Sequence, residues 1–227
     1  MCGRFALYHD HAAISQHLAV QQVAVEFKPR YNIAPTQAIA AVLQHPEQPE
    51  PVLDALQWGL VPFWAKDAKI GSRMINARAE TVAEKPAYRA AFKRRRCLVV
   101  ASGYYEWKKQ ENGKTPYYFS MRDHRPFAMA GLWEEWHSPD GELLHTCTLI
   151  TTQANTAVSA VHHRMPVILT LPQQNDWLNA DPEDRTALEN LLHPYKGEDL
   201  SAHPVSPQVN GAAWDDPSCI EAVEHSN

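Results

Sequence analysis

The chain has 227 residues, 44% of them hydrophobic, enough to bury one sizeable core and a better fit to one domain than to two. Its net charge of −5 excludes a histone-like polycation, and no apolar run is long enough to cross a bilayer. The start lacks the basic and apolar regions of a secretory signal. Cys2, Cys97, Cys147 and Cys219 are far apart, with no Cys-x-x-Cys pair and no zinc spacing, so a reduced, cytoplasmic, soluble protein without a metal is expected.

In chain order, Asp10 reads as the N-cap of a helix over about 11–20. Strands are predicted at Ala38–Leu43, Leu53–Trp58, Cys97–Ala101, Tyr104–Trp107, Pro116–Ser120, Phe127–Leu132, Thr146–Thr152 and Val167–Leu171. A second helix is expected over about 84–93. Asn112-Gly113 and Pro139-Asp140-Gly141 are turn signals between strands. Asp181-Pro182-Glu183-Asp184 opens a further helix with Leu188, Leu191 and Leu192 as its apolar stripe, ended by His193-Pro194. Strands follow one another without crossovers, which predicts an α+β domain with a curved, mainly antiparallel, barrel-like core flanked by short helices. That domain spans 1–210, and 211–227 reads as a loosely held acidic tail. The run Lys93-Arg94-Arg95-Arg96 reads equally as a solvated surface or as a phosphate-contacting patch.

Chemistry concentrates in a few segments. Cys2 becomes the amino terminus if Met1 is removed, and it then carries an α-amine and a thiol on adjacent carbons, with pKa values of roughly 8 and 8.5. Such a pair condenses with an aldehyde and closes a five-membered thiazolidine. An internal cysteine cannot, because its nitrogen is an amide. The bland alternative is a small apolar residue at a frayed end. Asn76 and Arg78 stand two apart in Ile75-Asn76-Ala77-Arg78-Ala79-Glu80, which points both to one side of an extended segment. Gly103-Tyr104-Tyr105-Glu106-Trp107 places a carboxylate among aromatics, where desolvation makes it a candidate general acid; an exposed edge-strand residue is the plainer reading. Val161-His162-His163-Arg164-Met165-Pro166 sets imidazoles beside a guanidinium. Trp58-Gly59-Leu60-Val61-Pro62-Phe63-Trp64 is either core or a platform for stacking bases.

With Met1-Cys2-Gly3-Arg4-Phe5, Tyr31-Asn32-Ile33-Ala34-Pro35-Thr36 and His203-Pro204-Val205-Ser206, these segments run in order from residue 2 to about 210 and closely resemble the SRAP family of SOS response-associated peptidase-like, abasic-site processing proteins. The resemblance implies covalent capture of abasic sites in single-stranded DNA by a terminal cysteine, with no cofactor, by a protein expected to be monomeric. It carries the nucleophile to Cys2, the active-site asparagine to Asn76, the acid to Glu106 and the histidine to His162, which stands two before Arg164. Arg4, Arg78 and Arg164 match positions expected to hold DNA phosphates, and Trp64 and Trp107 match aromatics beside the bases. Phe63-Trp64-Ala65 departs from members with adjacent tryptophans. Competing readings are an N-terminal-cysteine peptidase or amidase that removes its own Met1, and a non-catalytic single-strand binding module using Arg78, Arg164 and Lys93–Arg96.

Overall fold

The structure, a computed structural model, describes residues 2–18, 20, 22–44, 50–111 and 113–223. β1 (Phe5–Leu7) leads into α1 (His11–His17), which Asp10 starts by accepting from the Ala13 amide at 2.9 Å. β2 (Gln22–Val23), β3 (Arg30–Ile33), β4 (Ala38–Leu43) and β5 (Val52–Trp58) follow. A 3-10 turn over Ala68–Arg73 then delivers β6 (Asn76–Arg78), and α2 covers Arg89–Arg94. Next come β7 (Arg96–Ala101) and two antiparallel hairpins, β8 (Gly103–Gln110) with β9 (Gly113–Met121) and β10 (Phe127–His137) with β11 (Leu143–Gln153). Of the predicted turn between β8 and β9, Asn112 lies outside the described residues. The chain closes with α3 (Thr156–Ser159), β12 (Arg164–Pro166), β13 (Ile168–Leu169), α4 (Leu171–Asn179), α5 (Arg185–Asn190) and β14 (Leu200–Pro204).

The fold is α+β around two sheets. In the larger, β11, β10, β7, β4 and β5 are joined in succession, and β5 returns to pair in parallel with β11 at Thr146↔Gln57 and Cys147↔Trp58. The ring closes into a small barrel, which removes the edges an open sheet would expose; Val42, Leu98 and Ala130 share one buried face of it and Leu149 lies on the other. The smaller sheet runs β14-β9-β8-β1-β3. Here β1 is an inner strand: Phe5 faces Tyr104 on one side and Ile33 on the other. A chain start that would ordinarily fray is therefore held from both flanks.

Four expectations are corrected. The third predicted helix begins at Asp184, whose carboxylate accepts from the Ala187 amide at 2.9 Å, while Asp181 caps only a turn at Glu183. The strand predicted through Leu171 ends at Leu169. Thr170 and Gln173 form a capping box there and start α4 instead. The basic run is not one uniform surface patch, although Arg94 is exposed. Arg96 is buried and donates to the carbonyls of Phe92, Lys93, Trp177 and Ala180, tying the ends of α2 and α4 together, while Arg95 pairs with Glu134 and Lys93 with Glu183. Nor is the C-terminal segment loose through residue 223. Asp215 accepts from Arg30 and from the Tyr31 and Asn32 amides, and Val209 and Cys219 are buried against Ala6, Tyr105 and Tyr118.

Candidate active site

Cys2 is completely buried in the main apolar cluster. Its backbone carbonyl accepts from the Asn76 side-chain amide at 2.7 Å. Asn76 reaches it because β6 lies in parallel against β11, with Leu149↔Asn76 in register. The delivery of β6 depends on a close backbone approach: a Cβ on Gly71 would stand 2.5 Å from the Gly59 oxygen, so only glycine lets the 3-10 turn rest there. Burial, with the charge of Glu106 second, raises the Cys2 thiol well above its ordinary value, so the resting sulfur is a neutral thiol.

Glu106 is 2% exposed, and burial lifts its carboxyl from 4.5 to about 7. The aromatic strand that was to desolvate it does so. His162 Nδ1 lies 3.8 Å from Glu106 Oε1, too far for a hydrogen bond. That nitrogen lies 3.0 Å from the Arg164 amide nitrogen and 3.2 Å from the Arg164 carbonyl oxygen, so it accepts from the one in the Nε2–H tautomer and donates to the other in the Nδ1–H tautomer. Burial lowers the imidazole's pKa, and His163 stacks on it with centroids 4.4 Å apart. The four residues Cys2, Asn76, Glu106 and His162 thus converge from four separate segments. Glu106 and His162 open onto a cavity of about 460 Å³ also lined by Trp107, Lys109, Lys114 and His163. A proton donor poised near neutrality, a neutral imidazole and a sealed thiol suit nucleophilic attack with proton transfer.

The expected DNA contacts divide. Arg78 is exposed, two residues from Asn76. Trp107 lines the cavity and donates through Nε1 to Asn210 Oδ1 at 2.7 Å. Trp64, 51% exposed, lines a different cleft with Lys66, Lys69 and Arg73. Arg4 turns toward the C-terminal segment, donating to Asn32 Oδ1 at 2.7 Å, Val209 O at 2.8 Å and Asn210 O at 3.2 Å. Arg164 is 9% exposed and bonds both oxygens of Glu80 and the Thr151 carbonyl. Tyr104 was passed over by the sequence reading. Strand alternation puts it on the face of Glu106, and its fully buried hydroxyl has no hydrogen-bond partner among the described residues. Lys108, Lys109 and Lys114 were passed over too, though their place on the hairpin that carries Glu106 was readable.

Nucleophilic chemistry performed at a buried chain start, on a barrel-centred α+β scaffold, is the class of activity this arrangement suits. A family model of SOS response associated peptidase (SRAP) proteins matches residues 1–212, and the chain belongs to that family. It is 41% identical over 225 residues to the abasic site processing protein YoqW of Bacillus subtilis, covering 98% of this chain and 100% of the relative. It is 34% identical to the abasic site processing protein HMCES of Gallus gallus, covering 87% of this chain and 67% of the relative. A crystal structure of a protein from Bacteroides thetaiotaomicron superposes with a TM-score of 0.86 at 26% identity, covering 98% of this chain and 100% of that one.

Proposed function

We propose that this protein captures abasic sites in single-stranded DNA, closing a thiazolidine between Cys2 and the sugar C1′ that shields the lesion. The observation that carries the reading is a buried Cys2, its carbonyl held by Asn76, beside a carboxyl that titrates at about 7. The names of the relatives support it. Met1, whose removal the reaction requires, lies outside the described residues.

The abasic sugar rests mainly as a closed hemiacetal, and Glu106 supplies the proton exchange that opens it to the aldehyde. The α-amine of Cys2 adds to C1′ to give a carbinolamine. Glu106 protonates the departing hydroxyl, and water leaves as the imine forms. The Cys2 sulfur then adds to C1′ while its proton passes, with His162 as carrier, to the imine nitrogen. The product is a secondary amine within a five-membered ring, and one water has been lost overall. Asn76 orients the Cys2 backbone throughout. Arg78 and Trp107 flank the bound strand.

Intact-mass measurement after mixing with an abasic single strand tests this. The expected product is a heat-stable adduct of protein beginning at Cys2 plus oligonucleotide minus one water. Cys2→Ser should retain a borohydride-trappable imine and lose the stable adduct, because its amine survives and its sulfur does not. A cross-linking-competent protein that retains Met1, or equal heat-stable adducts from Cys2→Ala and wild type, would overturn the mechanism. The family's description as a peptidase favours a second reading, cleavage of a peptide bond by the same cysteine, which release of a peptide product would support.

A further inference from the structure

Resting on the capture reading, we infer that the β8–β9 hairpin is a phosphate rail for the single strand flanking the lesion, with Lys109 and Lys114 as its principal contacts and Lys108 beside them. The cavity onto which Glu106 and His162 open also reaches these lysines, so a strand that enters beside Glu106 meets cationic side chains on its way out. The guanidiniums of Arg4 and Arg164 are already engaged by carbonyls, Asn32 and Glu80, and a phosphate would have to displace those partners.

The hairpin's own pairing points the same way. Lys109 lies directly opposite Lys114 in the antiparallel register, both are exposed, and neither is paired with a carboxylate among the described residues. Like charges directly across two strands are unfavourable. The arrangement costs stability in the free protein and becomes favourable when an anion bridges the pair. The carboxylates nearby are Glu111 at the hairpin tip and Glu106 at the cavity floor, and Glu106 is partly protonated near neutral pH. Lysine ammoniums act on backbone phosphates as point charges and read no bases, so this contact is sequence-independent.

The test is Lys109→Gln/Lys114→Gln in protein beginning at Cys2, with fluorescence anisotropy of a short undamaged single strand across a salt series. Loss of two phosphate contacts should reduce the slope of log affinity against log salt by about 1.4, at roughly 0.7 per contact for single strands. Capture of an abasic strand should need several-fold more protein for half-saturation, while the rate at saturating protein stays at the wild-type value. A single Lys109→Glu places an opposite charge across from Lys114, so its melting temperature should hold or rise while its affinity for the strand falls. An unchanged slope in the double variant would overturn the rail. Failure of the capture reading looks different: wild-type protein gives no covalent adduct, whatever the slope on the undamaged strand shows.

Discussion

Glu106 sits on β8 with the Cys2 thiol and the His162 ring for neighbours, and burial holds its carboxyl near 7 against an ordinary 4.5. In the unfolded chain the proton leaves around 4.5, while in the folded protein it stays until about 7. Between those values the native state binds more protons, so the contribution of Glu106 to stability is fully present below 4.5 and is lost as pH rises through 7. A shift of this size corresponds to about 3 kcal/mol. Glu106→Gln removes the penalty, so urea unfolding should find the variant more stable than wild type by about 2–3 kcal/mol at high pH and little different in mild acid. Parallel pH dependences in the two proteins would show that the carboxyl is not held neutral. The same variant should capture abasic strands roughly a hundredfold or more slowly, since an amide cannot donate the proton that expels water. In wild type, the capture rate should fall as pH climbs past 7. Cys2, Asn76, Glu106 and His162 were legible through the ordered set of segments that resembles one family, because each motif taken singly also had a bland reading. The engagement of Arg4 and Arg164 was not legible, because their partners Asn210 and Glu80 lie far away in sequence.

At the scale of elements, the segment 207–223 acts as a strap across the small sheet. Asp215 accepts from Arg30, from Tyr31 N at 2.6 Å and from Asn32 N at 2.9 Å, and the Asn32 side-chain Nδ2 donates to Gly211 O at 3.0 Å and Trp214 O at 2.6 Å. Asp215→Ala strips two backbone amides and a guanidinium of their acceptor. The cost should be about 2–3 kcal/mol in urea unfolding, with faster proteolysis within 207–223 under native conditions. Wild-type stability and protease resistance in the variant would show that the strap contributes nothing. Sequence patterns could not reveal this segment, whose acids and small residues have no period and whose partners lie on β3. The capping box that starts α4 was different. Thr170 and Gln173 carried a readable signature, but the apolar run before them drew the reading toward a longer strand. The barrel strands were legible because alternation and β-branched runs are local. The parallel return of β5 onto β11 was not, because no short-range pattern encodes which edges meet.

Across the whole molecule, the site belongs to neither sheet alone. Cys2 and Glu106 come with the small sheet through β1 and β8, whereas Asn76 rides on β6 against the barrel strand β11 and His162 precedes β12 on that same strand's margin. The two sheets share one apolar cluster, and Phe5 of the small sheet meets Trp58 of the barrel edge-on with centroids 5.2 Å apart. Docking the sheets is therefore what assembles the chemistry, and the site should not outlast the core. In a urea titration, adduct-forming capacity and the fluorescence of the buried Trp58 and Trp177 should disappear in one coincident transition. Phe5→Ala supplies the sharper case. Emptying that contact should cost about 3–5 kcal/mol and move both curves to lower urea together, leaving the capture rate per folded molecule near wild type. Capture lost at lower urea than fluorescence, in either protein, would mean that the sheets separate before the barrel melts.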